Sequence, residues 1–432
     1  MMMQEHAITA WLKRNNALPF TLYASIVSFC LYTCIFALRK TFGVATYDGL
    51  NYWGVDFKIL MVTFQVIGYL ISKFVGIKVV SEMKSTYRTR SILLMVSVAS
   101  VSWFFFAITP APYNLVFLFF NGLPLGMVWS LVFGYLEGRR NTEVLGASLS
   151  VSFIFSAGFA KTVGGLVMRD WNVSEFWMPF ASAALFFGPL LVFLWLIDKI
   201  PPPSPEDEAL RTKRQPMMGP ERMAFVKTFG PGLLLLIGSY AMLTAYRDFR
   251  DNFSKEIWVS LGYGDKPEIF TQTEVPVSIT VLAAIAVLMV IRNNRKALII
   301  NHLMVIFGMV LTGVSTLAFE RQLISAPVWM TLVGMGLYFG YIQFNSIFFD
   351  RLLAAFTYAG TVAFLINLAD SFGYIGSVGV LFYKNFGQTN LSWLDFFIAS
   401  GYVLSVAGTV LMTTSLFYFR RKHAAWVEGG AK

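Results

Sequence analysis

Residues 18–43 read LPFTLYASIVSFCLYTCIFALRKTFG. No charged residue occurs from Leu18 to Leu38, a run long enough to cross a hydrocarbon core of about 30 Å as a helix. Arg39 and Lys40 then arrive before the chain reaches water. A cation at membrane depth costs roughly 3 kcal/mol or more unless it faces a wet cavity or a counter-charge. Arg39 is therefore read as holding an anion in a pathway through the membrane. The alternative, weightier for Lys40, is that these long side chains snorkel to the headgroups.

The rest of the chain supports a membrane setting. Its 432 residues are 56% hydrophobic and 13% charged, with 42 Phe and 34 Gly, and the mean hydropathy is +0.62. A water-soluble core cannot absorb so much apolar surface. Most of the chain is expected in lipid as helices, which satisfy their own backbone polar groups. The first apolar stretch is too long for a cleavable signal, leads into further spans and is followed by no small-residue cleavage site. Cys30 and Cys34 lie one turn apart on the first span, a poor basis for a disulfide framework. The net charge of +10 does not indicate a nucleic-acid partner, because the cations fall in short clusters between apolar segments.

Apolar periodicity and length predict twelve spans, at about 18–42, 58–78, 91–109, 113–135, 144–167, 176–197, 227–250, 273–291, 297–318, 327–349, 358–382 and 394–418. One set of alternate loops gathers Lys13 and Arg14; Lys78, Lys84, Arg88 and Arg90; Arg139 and Arg140; Arg292, Arg295 and Lys296; Arg351; and Arg420, Arg421 and Lys422. The positive-inside rule makes that side cytoplasmic, with both termini on it. Between the sixth and seventh spans, Pro201, Pro202, Pro203 and Pro205 precede Glu206, Asp207, Glu208, Arg211, Lys213 and Arg214. This composition reads as a polar linker over 198–226 between six-helix bundles at 1–197 and 227–432. Its middle is either a surface amphipathic helix or a flexible tether. The fold class expected is thus all-α and polytopic, with twelve helices in two bundles.

The halves echo each other. The first span ends in Arg39-Lys40-Thr41-Phe42, and the seventh in Tyr246-Arg247-Asp248-Phe249-Arg250-Asp251-Asn252-Phe253. Internal repeats with a midplane site are common in secondary transporters, so Arg39 and Arg247 are expected to face each other across a cavity. Asp248 and Asp251 flank Arg250 and can neutralise it locally, leaving Arg247 the freer cation. Arg250 is a further solute-binding candidate, and the alternative is that the whole charged run is the wet end of the span.

Four stretches resemble the organophosphate:phosphate antiporter branch of the major facilitator superfamily. Arg39-Lys40-Thr41-Phe42 is similar to that family's first-span arginine motif, and Gly68-Tyr69-Leu70-Ile71-Ser72-Lys73-Phe74 to its Ser-Lys-Phe motif. Asn121-Gly122-Leu123 with Gly126 and Trp129 resembles its fourth-span glycine-rich run, and Arg247 with Asn252-Phe253-Ser254 its second substrate arginine and downstream Asp-Trp-Ser. The resemblance implies a bacterial inner-membrane carrier that works by alternating access. It further implies that Arg39 and Arg247 clamp a phosphate, with Lys73 as an accessory cation. The chain departs from the family pattern after Trp129, where Ser130, Leu131 and Val132 replace a Pro-Pro pair and a basic residue. Phe155 falls where bacterial members have a fifth-span histidine.

Other spans add polar candidates. Lys161 in the fifth could supply the cation missing at Phe155, and Lys73 either lines the cavity or snorkels. Asp370, with Asn367 at i−3 and Tyr374 at i+4, forms one polar stripe in the eleventh. That stripe serves either a solute pathway or a packing contact. Gln65 is a further cavity candidate. The expected partners are a small anionic solute and the bilayer, with inorganic phosphate or protons as coupling species, and the chain is expected to act as a monomer. No metal set and no phosphate-cradling glycine loop stand out, and no cofactor or enzymatic activity is expected. The main expectation is gradient-driven transport of a small organic anion, with a phosphorylated solute exchanged for phosphate as the favoured class. The alternatives are a proton-coupled carrier of a carboxylate or sugar-derived solute, and an organophosphate sensor of the same fold that does not transport.

Overall fold

The computed structural model describes residues 6–14, 17–83, 85–137, 139, 141–204, 207, 219–358, 362–388 and 390–430. Lys84, Arg140 and most of the polar linker, including any amphipathic helix in it, lie outside these, as does the side chain of Lys78. A short helix α1 (Ala7–Arg14) precedes α2 (Ala17–Lys40), α3 (Phe57–Glu82), α4 (Arg88–Ile108), α5 (Leu115–Phe133), α6 (Thr142–Trp171) and α7 (Met178–Asp198). After the linker come α8 (Gly219–Asn252), α9 (Ser254–Ser260), α10 (Glu268–Met289), α11 (Asn294–Glu320) and α12 (Ala326–Ser346). The last four helices are α13 (Phe348–Ala355), α14 (Val362–Phe382), α15 (Trp393–Val403) and α16 (Thr409–Gly430).

Among the described residues, 11 helices are long and apolar enough to cross a membrane, and the bent pair α12 and α13 makes up to 12. The chain is an all-α polytopic membrane protein. Contacts divide it into two units, Met1–Arg211 with Asp265–Gln272, and Thr212–Gly264 with Thr273–Lys432. The loop and first turn of α10 thus group with the first unit. There the Thr162 hydroxyl donates to the Pro267 carbonyl at 2.8 Å and pairs with the Thr271 hydroxyl at 2.7 Å.

Three differences from the expected spans have local causes. The tenth span is not continuous, because the chain bends by 53° between α12 and α13. Just before the break, Gln343, Asn345 and Ser346 bond back to the carbonyls of Phe339, Tyr341 and Ile342. Of these, the Ser346 hydroxyl bond is of the kind that favours a helix bend. The seventh span begins at Gly219, well before 227, because Phe225 and Phe229 are buried in an aromatic cluster with Phe356 and Tyr358. Helices α14 and α15 each run into a π-helical turn, Tyr383–Gly387 and Leu404–Gly408.

Close helix approach is carried by glycine. A Cβ on Gly122 of α5 would stand 2.2 Å from the Gln65 carbonyl oxygen of α3, and one on Gly68 would stand 2.3 Å from the Phe119 oxygen. No side chain fits there, which is how small residues let membrane helices touch backbone to backbone.

Before α3 the chain makes a small hairpin, β1 (Asn51–Tyr52) against β2 (Val55–Asp56). Its two turn residues, Trp53 and Gly54, have φ of 56° and 75°, the left-handed pair that a type I′ turn demands. The hairpin delivers Asp56 to the start of α3, where its carboxylate accepts the N–H groups of Lys58 at 2.9 Å and Ile59 at 3.4 Å. Burial raises this carboxyl above its usual range, and the two N–H donors work in the opposite direction. Asp56→Ala, which removes the cap, is expected to lower stability by roughly 0.5–2 kcal/mol. Asp56→Asn, which keeps an acceptor, should fall between; unfolding of the purified protein in detergent, followed by circular dichroism, measures both.

Candidate functional site

The end of α2 sets the geometry of the first unit. Its last carbonyls have no partner inside the helix, and lipid offers no water to serve them. Side chains from three other helices do so instead. Trp103 of α4 donates its indole N–H to the Leu38 carbonyl at 2.5 Å, and Asn121 of α5 donates to the same oxygen at 3.1 Å. Gln65 of α3 donates at 2.8 Å both to the Arg39 carbonyl and to the Asn121 side-chain oxygen. Beyond the helix end, the Lys58 ammonium donates to the Gly43 carbonyl at 3.1 Å.

This knot fixes the backbone from which Arg39 projects. The guanidinium lies over the Tyr69 ring, 3.8 Å from its centroid, and the Lys73 ammonium stands 5.6 Å from the same centroid. The ring face attracts both cations. Arg39 and Lys73 are half-buried, whereas Lys40, Lys58 and Lys161 are buried. Across the six spans α2 to α7, carboxylates occur only in terminal turns: Glu82, Glu143, Asp170 and Asp198.

Gln65, expected to meet solute, instead has its amide nitrogen held by Arg39 and Asn121 and is wholly buried. It positions Arg39. Phe155, at the place of the family's histidine, packs with Phe29 and Phe159 at ring separations of 5.5 and 5.3 Å.

The second unit is arranged differently, because its interior cations are matched by acids. Arg247 donates from Nε and Nη2 to one oxygen of Asp248, at 3.0 and 2.6 Å, and lies 4.0 Å from the Tyr341 ring centroid. The other Asp248 oxygen accepts the Ser377 hydroxyl at 2.8 Å. Arg250 meets Glu274 of α10 at 2.6 Å and donates to the Met330 carbonyl at 3.1 Å. The expectation that Asp248 and Asp251 neutralise Arg250 and free Arg247 is therefore corrected. Asp248 pairs with Arg247, and Arg250 takes its counter-charge from another helix. Arg250, one of the solute-binding candidates, is thus held between Glu274 and the Met330 carbonyl.

Asp370 of α14 accepts the Tyr240 hydroxyl at 2.5 Å, and Asn345 donates to that same hydroxyl at 3.0 Å. Tyr240 stacks on Tyr341 at 5.4 Å, which carries the network to Arg247. On the expected Asp370 stripe, Tyr374 is buried and Asn367 half-buried. Sequence reasoning missed Glu274, Tyr240 and Ser377. Glu274 had a signal: it is the one acid inside an otherwise apolar helix. Tyr240 lies two turns before Arg247 and so on its helical face, but one tyrosine among 18 does not stand out.

The architecture is that of the major facilitator type. A solved structure titled a D-xylose–proton symporter matches with a TM-score of 0.58 at 17% identity, covering 92% of this chain and 97% of that one. The chain belongs to a family described as "Family of unknown function (DUF5690)", whose model matches residues 41–422. A comparison with curated proteins finds no match.

The Arg250–Glu274 pair makes a stability prediction. Both side chains are under 10% exposed, at 6% and 8%, and breaking a buried pair strands one charge at a cost of roughly 3–5 kcal/mol. Glu274→Leu alone should destabilise strongly, while Arg250→Met with Glu274→Leu should recover most of the loss. Thermal unfolding of the two variants in detergent reads the difference.

Proposed function

We propose that the chain is a secondary active transporter of a small organic anion, working by alternating access. The observation that supports this reading most is the charge of the first unit. Arg39 and Lys73 share one tyrosine ring, Lys40, Lys58 and Lys161 are buried nearby in sequence or on α6, and the span interiors hold no acid. Positive charge gathered from α2, α3 and α6 favours an anionic ligand over a neutral or cationic one. Phosphate suits the set, because an arginine fork bonds it in pairs while lysines add point charge. A phosphorylated solute, exchanged for inorganic phosphate, is the substrate class this favours.

A second reading rests on Asp370. Carboxylates within membrane helices are recurrent parts of proton pathways, Asp370 accepts the buried Tyr240 hydroxyl, and the similar structure is titled a D-xylose–proton symporter. On this reading the solute is a carboxylate or sugar derivative and protons drive it.

Uptake of labelled phosphate, sugar phosphates and carboxylates into proteoliposomes, loaded with phosphate or held under a pH gradient, separates the two. Arg39→Ala is expected to lower kcat/KM at least about tenfold, the equivalent of losing one charge-assisted bond of roughly 1.5–3 kcal/mol. Asp370→Asn should abolish only flux driven by the pH gradient. Uptake by an Arg39→Ala, Lys161→Ala variant equal to that of the wild type would refute the anion reading.

A further inference from the structure

Each unit contains an apolar cavity between corresponding helices. In the first unit, a cavity of about 380 Å³ lies between α2, α6 and α7, its wall including Cys30, Phe155, Phe159, Leu185 and Pro189. In the second, a cavity of about 350 Å³ lies between α8, α14 and α15, its wall including Tyr246, Tyr383, Phe396, Ala399 and Val403. Counted within each half, these are the first, fifth and sixth spans both times. Both volumes fall in the range of small-molecule sites, roughly 300–1,000 Å³.

Each cavity adjoins an interruption in helical regularity. Pro189 stands inside α7 and cannot bond back to the carbonyl of Leu185, and both residues line the first cavity. The second is bordered by the two π-helical turns, through Tyr383 and Leu404, and such turns concentrate at functional sites. The walls reach the outer face of the spans: Leu185 is 42% exposed and Val403 59%. Both residues lie on helices long and apolar enough to cross a membrane, so their exposed surfaces are expected to face hydrocarbon.

The second cavity also holds hydrogen-bond donors. The Tyr246 hydroxyl is buried without a partner, its ring stacked on Phe397 at 4.7 Å. At the end of α14 the Gln388 amide donates to the Tyr383 hydroxyl at 2.9 Å. An acceptor flanked by hydrocarbon chain satisfies this wall, and the ester carbonyl of a glycerolipid is such a group.

We infer that both cavities are binding sites for the acyl chains of glycerolipids, and that the second also bonds an ester carbonyl through Tyr246. The sites lie within single units, and their lipid occupancy does not depend on which solute the chain carries.

The test uses the full chain in nanodiscs of phospholipid that includes a species with a diazirine in its acyl chain. After photolysis, labelled peptides are located by mass spectrometry. Labelling should concentrate around Phe155 and Phe159 and around Phe396 and Ala399, above the level at Leu234 and Ile279, which are 74% and 64% exposed on helix surfaces. Ala399→Trp should remove the second focus and leave the first, with Ser400→Leu as a milder plug if the tryptophan variant does not remain monodisperse. Tyr246→Phe should lower labelling there severalfold by a diester probe and leave labelling by a diether probe, which lacks the carbonyl, unchanged. Labelling spread evenly over lipid-facing residues, or a second focus that survives both plugs, would overturn the acyl-chain sites. Equal loss of both probes in Tyr246→Phe would overturn the ester contact.

Discussion

A carbonyl oxygen at the end of a helix inside a membrane has no water to turn to, and much of the first unit follows from how α2 answers that. The oxygens of Leu38 and Arg39 are taken by an indole, a carboxamide and a second carboxamide from three different helices. Each of those groups would itself be costly to bury without a partner. The bonds therefore satisfy donors and acceptors together and fix how α2, α3, α4 and α5 meet. Gly122, next to Asn121, lets α5 approach α3 closely enough for Gln65 to reach both of its partners. Arg39 then projects from a backbone that has little freedom left, which is the preorganisation that a charged ligand site requires.

The two units handle buried charge in opposite ways. In the second, Arg247 and Arg250 each have a carboxylate within 2.6 Å, and Asp370 is held by a phenol. Its interior is polar yet close to balanced. In the first, cations gather on α2, α3 and α6, and within the spans carboxylates occur only in terminal turns. Paired charges inside a protein contribute little net stability, because desolvation offsets attraction. The second unit's pairs are therefore better understood as fixing geometry than as holding the fold together. On the proposed function, the excess of positive charge makes the first unit the half that would favour an anion.

Much of this was legible in the sequence, and the rest was not for identifiable reasons. The spans announce themselves because hydrocarbon tolerates little besides apolar helices, so the run from Leu18 to Leu38 has few other readings. The break at Ile347 is hidden because the stretch around it has the composition of a plain span, with no proline or glycine at the bend. Arg39 and Arg247 were visible as charges, but their partners were not. Arg250 finds Glu274 across 24 positions of chain, whereas the nearer Asp248 turns to Arg247. Gln65 showed as a buried polar group, and only the position of α2's last turn reveals that it serves the backbone. The hairpin before α3 was missed because its turn places Trp53 where asparagine is usual.

The repeated cavities follow from the same constraint that set the end of α2, acting on shape instead of hydrogen bonding. Between helices in lipid there is little hydrophobic force to squeeze out a gap, since acyl chains are as apolar as leucine. A gap beside a proline or a π-helical turn can therefore persist, provided hydrocarbon fills it. In water an apolar hollow of this size would be expected to collapse or recruit a ligand, because empty volume forfeits dispersion contacts on every wall. In a bilayer the solvent itself is the ligand. That such hollows stand beside the first, fifth and sixth spans of each half ties them to the internal repetition of the fold, since an accident of packing in one unit has no reason to recur at the matching helices of the other.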